Sequence, residues 1–295
     1  MEHIPTAESL QDALADVSNV EWRDSGGFKA MYTAQVEGKQ EALKVVYLPP
    51  EAGETEEQRS QLNARLKREL DVLEKCRNPN LVKLGKLKPR NLAIDGREYM
   101  VYSEELLCGL DLRFLIAQSR KEPDIVELVN LALASLSVVR DLWTMGYVHR
   151  DIKPANIIRT EQEERRFVLL DLGIAFNIHG TQLTASGHTI GTRLYMPPEL
   201  FSPDYKSSID FRSDVYSIGV SLFEYASGKH PLVRQPEDDF TTVYRIITQR
   251  PDKLEQHRPD LPRTFCNLVD RCMRKTPALR YSDLDSLIRE LEVMI

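Results

Sequence analysis

Residues 149–158 read HRDIKPANII. Asp151, Lys153 and Asn156 put a carboxylate, an ammonium and an amide into one short loop after an apolar, helix-like run. Those groups suit one chemistry. Asp151 can orient an attacking hydroxyl and accept its proton. Lys153 can neutralise charge on a phosphoryl group in transit. Asn156 can hold a hard cation through its amide oxygen, as Mg²⁺ prefers. A solvated turn broken by Pro154 is the competing reading. It accounts for the turn but not for three functional groups at this spacing.

Just downstream, VLLDLG (168–173) is an apolar strand ending in Asp171 and Gly173. A lone D-x-G is a common turn. Following Asn156 with a hydrophobic strand between, Asp171 would instead complete a Mg²⁺ site on a nucleotide's phosphates.

Upstream, VEWR (20–23), KAMYTAQV (29–36) and EALKVVYL (41–48) have strand character, and EGKQ (37–40) reads as a hairpin turn. TEEQRSQLNARLKRELDVLEKC (55–76) places Leu62, Leu66, Leu70 and Leu73 on one helix face, with Thr55 and Gln58 as a capping box. LVKLGKL (81–87) and REYMVYS (97–103) read as two more strands. After CGLD (108–111) the texture turns helical, with helices expected over 111–118, 125–143, 213–228, 240–249, 264–273 and 282–294. A β-rich lobe followed by a helical one predicts an α+β, bilobal chain with a cleft at the junction. The expected division is a helical extension over 1–18, in which Leu10, Leu14 and Val17 would dock on the small lobe or on a partner, a small lobe over 19–107, and a large lobe over 108–295.

The 295 residues are 42% hydrophobic, enough for two lobes with cores of their own. The net charge of −6, without a basic stripe, argues against nucleic acid. Cys76, Cys108, Cys266 and Cys272 lack C-x-x-C spacing and predict reduced thiols, no structural zinc and a cytoplasmic location. The first residues lack the apolar core of a signal peptide, and LVNLALASLSVV (128–139) is too short to span a bilayer.

With Lys44 in EALKVV and Glu69 in LKREL, these motifs resemble the protein kinase fold over roughly 19–294. The resemblance extends to GTRLYMPPEL (191–200), similar to the end of an activation segment, and to SDVYSIGV (213–220), whose Asp214 would anchor the catalytic loop. It pairs Arg280 with Glu199. It implies that Lys44, tied to Glu69, holds the α- and β-phosphates of ATP. Asp151 and Lys153 would act in catalysis, and Asn156 and Asp171 would hold Mg²⁺, with Mn²⁺ an alternative. Met31 and Ala42 would contact the adenine from above and Ile158 from below, with Asp111 also among the nucleotide-binding residues. Leu73, Leu84, His149 and Leu172 match a stacked column linking the lobes. The Lys44–Glu69 pair is expected to be partly solvated, so Lys44→Met should leave stability nearly unchanged.

The loop DSGGFK (24–29) departs from the family's G-x-G-x-x-G pattern. Asp24 and Lys29 stand where two glycines are usual, while Gly26 is kept and Gly27 adds freedom. The loop is expected to cover nucleotide loosely, and Lys29 could contact phosphate. Lys153 and Thr192 follow the pattern of Ser/Thr-specific members, closest to bacterial, Hanks-type kinases, with Thr184, Ser186 and Thr189 as autophosphorylation candidates. Asp111 and Glu224 lean faintly towards basic protein substrates. The alternative, a different class of function, is a nucleotide-binding pseudokinase scaffold with little turnover.

Overall fold

The computed structural model describes residues 4–26, 29–48, 54–118, 122–172, 193–202, 209–234 and 238–295. The chain divides into two compact units, Met1–Cys76 with Val82–Leu107, and Arg77–Leu81 with Cys108–Ile295.

The small unit is built on strands β1 (Val17–Gly26), β2 (Lys29–Val36), β3 (Lys39–Leu48), β4 (Arg90–Ile94) and β5 (Arg97–Glu105), in the order β1-β2-β3-β5-β4. All neighbouring pairs are antiparallel. Two hairpins turn on successive left-handed residues: Glu37 and Gly38 at φ 49° and 78°, and Asp95 and Gly96 at φ 51° and 74°. That is the backbone of the tight turns whose twist matches flanking strands.

Helices α1 (Ala7–Ala13) and α2 (Glu54–Lys75) belong to the same unit. β3 is buried along most of its length because both faces of the sheet carry apolar clusters. Leu43 and Val45 join Leu10 and Leu14, at or next to α1, in one cluster. Val46 and Leu48 join Leu66 and Leu70 of α2 in the other. Leu10 and Leu14 of the N-terminal segment thus pack on the sheet, whereas Val17, expected on the same helix face, opens β1 instead. Thr6 caps α1 by accepting from the Ser9 backbone N–H at 3.0 Å, and the Tyr32 hydroxyl donates to the Pro5 carbonyl at 2.5 Å.

One expected strand is absent. LVKLGKL forms only isolated bridges, Leu81 to Leu169 and Leu84 to Glu104. The buried carboxylate of Glu41 takes over donors there, accepting from the Lys86 backbone N–H at 2.8 Å and the Ser103 hydroxyl at 2.5 Å. Gly85 passes so close that a Cβ would meet Glu41 Oε2 at 2.3 Å and Ser103 Oγ at 2.4 Å. The fourth strand is instead RNLAI, set by the Asp95–Gly96 turn. α2 begins at Glu54, and the side chains of Thr55 and Gln58 lie outside those described.

The large unit contains a three-stranded antiparallel sheet, β6 (Gly109–Asp111), β7 (Ile157–Thr160) and β8 (Phe167–Leu169). Its helices are α3 (Leu112–Ala117), α4 (Ile125–Thr144), α5 (Phe211–Ser227), α6 (Asp239–Thr248), α7 (Leu254–His257), α8 (Arg263–Cys272) and α9 (Leu284–Glu292). Asp111, Asp124, Asp210, Asp238 and Asp283 cap five of them through side-chain oxygens that accept early backbone N–H groups. The apolar run of α4 is a buried helix packed on α5 and α9. The four cysteines are free thiols, three of them buried. Among the described residues no helix is long and apolar enough to cross a membrane.

Candidate active site

In the large unit, the segment after α4 is held by a buried carboxylate. Asp214, on α5, accepts the backbone N–H groups of His149 and Arg150, both at 2.8 Å. Arg150 has φ 68°, a left-handed conformation unfavourable for a side-chain-bearing residue. The two bonds accepted by Asp214 fix the backbone leading into that strain. Burial pushes the Asp214 carboxyl up to about 6, against the pull of those backbone donors. His149 is fully buried, and its imidazole is driven down to about 4 by desolvation.

Asp151 follows at once. Lys153 Nζ lies 2.9 and 3.0 Å from its two carboxylate oxygens, and Asn156 Nδ2 donates to Asp151 Oδ2 at 2.8 Å and to its carbonyl at 2.9 Å. Burial raises the Asp151 carboxyl above the ordinary carboxylate range, while Lys153 and Asn156 oppose the shift. A carboxylate so placed is a stronger proton acceptor than a solvated one. Pro154 begins a 3₁₀ turn, Pro154–Asn156, that delivers the Asn156 amide.

Asn156 directs both amide N–H donors at Asp151, so its oxygen is the atom it can offer a cation. Its carbonyl accepts the Leu170 backbone N–H at 2.8 Å, which brings the loop beside Asp171 at the end of the β8 segment. Asp171 has φ 44°. One carboxylate and one amide oxygen fit Mg²⁺, which keeps several waters and takes its remaining ligands from phosphates. Among the described residues no group of three His, Cys, Asp or Glu side chains could hold a metal by itself.

Ile158 sits on β7 opposite Asp111 and Val168. Asp111 accepts the Phe114 backbone N–H at 2.8 Å as the cap of α3, a local role that its sequence did not announce. Glu224 accepts the Tyr195 hydroxyl at 2.5 Å. Arg280 grips Glu199 through two bonds, at 2.6 and 2.7 Å, with both side chains buried or nearly so. Thr184, Ser186, Thr189 and Thr192 lie outside the described residues.

In the small unit, β2 and β3 place Met31 opposite Lys44, and β3 and β5 place Lys44 opposite Tyr102 and Ala42 opposite Glu104. Met31, Ala42, Lys44 and Glu104 therefore share one face of the sheet. Gly26 closes the β1–β2 register against Lys29, and Gly27 lies outside the described residues. Two ion pairs that the sequence did not predict are seen. Lys29 Nζ lies 3.2 Å from Glu69 Oε1, and Lys44 Nζ lies 3.4 Å from Glu104 Oε2. Lys44 is 6% exposed and Glu69 0%, so the expected partial solvation is not found. Glu104 is the functional-site candidate the sequence missed, because the register of residues 102–108 could not be fixed without strand pairing.

The chain belongs to the protein kinase family: the model of the protein kinase domain matches residues 25–291. Among curated relatives, it is 30% identical over 241 residues to serine/threonine-protein kinase pkn3 of Myxococcus xanthus, covering 78% of this chain and 42% of that protein. It is 29% identical over 219 residues to serine/threonine-protein kinase PknE of Mycobacterium tuberculosis, covering 74% of this chain and 36% of that one. The chain thus spans less than half the length of these relatives. The crystal structure of the Mycobacterium tuberculosis PknI kinase domain matches with a TM-score of 0.65 at 22% identity, covering 95% of this chain and 97% of that one. At that identity the likeness is one of fold.

Proposed function

We propose that this chain is an ATP-dependent serine/threonine protein kinase that phosphorylates protein hydroxyls and its own activation segment. Asp151, held by Lys153 and Asn156 beside Asp171, is the observation that carries the reading. The substrate hydroxyl oxygen bonds to the γ-phosphorus, the bond from that phosphorus to the β–γ bridging oxygen breaks, ADP leaves, and the Asp151 carboxylate takes the hydroxyl proton. Lys153 offsets the charge gathering at the transferred group. Asn156 and Asp171 would hold Mg²⁺ or Mn²⁺, which supplies charge neutralisation at the phosphates when bound. Lys44 would hold the α- and β-phosphates. Gly26 and Gly27 would cover them, and Met31, Ala42 and Ile158 would line the adenine site, with Asp111 at its edge.

The relatives named as serine/threonine kinases support the hydroxyl class of acceptor. The small unit is read as the kinase N-lobe, with residues 1–18 as its extension, and 108–295 as the C-lobe. Intact catalytic groups favour this reading over a pseudokinase scaffold, and the cytoplasm is the compartment that suits free thiols and ATP.

The test is transfer of label from γ-labelled ATP to the chain and to a generic basic protein, with and without Mg²⁺. Label dependent on Mg²⁺ and lost in Asp151→Asn supports the assignment. Nucleotide binding without transfer by the parent would favour the scaffold.

A further inference from the structure

α5 holds more than the catalytic loop. Asp214, in its first turn, accepts from His149 and Arg150. Three residues on, the Ser217 hydroxyl donates to the Tyr195 carbonyl at 2.9 Å. Near the end of the helix, Glu224 accepts the Tyr195 hydroxyl at 2.5 Å. One helix thus sets the loop of Asp151 and the stretch RLYM (193–196) at a fixed spacing. α5 stops at Gly228, left-handed at φ 68°, and the chain returns through KHPLV (229–233). From there His230 Nε2 lies 3.1 Å from the Leu194 carbonyl oxygen. Its ring stands edge-on to Tyr195, with centroids 5.4 Å apart and planes at 77°. The other ring nitrogen, Nδ1, accepts the backbone N–H groups of Leu232 and Val233, both at 3.1 Å. A nitrogen that accepts two N–H groups carries no proton of its own, so the ring hydrogen is on Nε2 and is donated to Leu194.

We propose that His230 is a positioning residue for the protein acceptor, an Nε2-protonated imidazole that clamps Leu194 and buttresses Tyr195 so that the acceptor chain meets a fixed backbone. The inference rests on the kinase reading above, in which RLYM belongs to the end of the activation segment. The two ring nitrogens divide the work. Nδ1 gathers the turn over 230–233 and thereby aims Nε2 at Leu194. Losing the clamp should impair acceptor recognition and leave nucleotide binding alone, because Leu194, Tyr195, Leu232 and Val233 are not among the groups assigned to ATP or the metal.

Two substitutions separate the turn from the clamp. In His230→Asn the side-chain oxygen can still accept from Leu232 and Val233, as in an Asx turn, but the amide is too short to reach Leu194. In His230→Gln the longer amide can reach Leu194, while the turn loses its acceptor. KM for a generic basic protein acceptor, KM for ATP and the nucleotide-free unfolding midpoint are measured for each. His230→Asn should keep the parental midpoint and KM for ATP and raise the acceptor KM about five-fold, the loss of one hydrogen bond. His230→Gln should lower the midpoint but recover most of the acceptor KM. Long-range nitrogen–proton correlation spectra of the parent should show the ring proton on Nε2. A parental acceptor KM in His230→Asn, an equal rise in both KM values, or a ring proton on Nδ1 overturns the proposal and leaves the kinase reading standing. A folded parent that shows the Nε2 proton but transfers no phosphate overturns the kinase reading, and the acceptor role of His230 with it.

Discussion

Lys44 and Glu104 are buried together, and their burial reverses an expectation drawn from the sequence. A strand lysine reads as a solvated group whose loss costs function only. Here Lys44→Met removes a cation 3.4 Å from a carboxylate that is 2% exposed. The loss is expected to be about 3 kcal/mol of unfolding free energy, as for other broken buried pairs. Urea unfolding of the nucleotide-free protein checks it; superimposable curves would return Lys44 to a solvated role. His149 gives a second test at this scale. Its folded value of about 4 lies below the ordinary value of 6.5, because burial opposes the charged ring. The unfolded chain then binds the proton first. Stability from this group is fully present above pH 6.5 and falls as pH drops towards 4, by up to about 3 kcal/mol. Asp151 and Asp214, raised by burial, run the other way over part of that range. The measure is therefore the difference between parent and His149→Phe, which should narrow the parent's deficit as pH falls from 6.5 to 4. A pH-independent difference would mean that the imidazole charges freely in the folded state.

At the scale of elements, α1 is structural. Leu10 and Leu14 are 0% and 1% exposed within the sheet's apolar cluster. Leu10→Ala and Leu14→Ala should each cost about 2–4 kcal/mol, measured as a shift of the denaturation midpoint. Changes within the scatter of surface substitutions would make the segment a loose appendage. This helix was legible from Leu10 and Leu14, four residues apart, although Leu14 forms its C-cap and Val17 belongs to β1. The strand proposed over LVKLGKL was misleading for an equally physical reason. Alternating apolar residues describe a half-buried extended segment, but they do not say whether its pairing is continuous. Here Lys83, Gly85 and Leu87 bond to the backbone of Ser103 and Glu105, while the Lys86 and Leu87 N–H groups go to the side chains of Glu41 and Ser103. The better signal was Asp95–Gly96, whose dipeptide favours two successive left-handed residues and so sets β4 against β5. Asp151, Lys153, Asn156 and Asp171 were legible because their chemistry is packed into short spacings. The partners of Lys29 and Lys44 were not, since they depend on strand register and on where α2 delivers Glu69.

At the scale of the whole molecule, the candidate groups for phosphoryl transfer are Lys44 in one compact unit and Asp151, Lys153, Asn156 and Asp171 in the other. Asp171→Ala should abolish Mg²⁺-dependent transfer, and Asp151→Asn should lower kcat by several orders of magnitude with unchanged circular dichroism. Near-parental turnover in either variant would require a different base or metal ligand. The central claim is tested most directly by mass spectrometry of the purified chain after incubation with Mg·ATP, beside Asp151→Asn treated identically. Phosphoryl increments are expected on the parent, first within residues 181–192 at Thr184 or Ser186, and none on the variant. A parent that stays unmodified, or a variant labelled as fully as the parent, would contradict it.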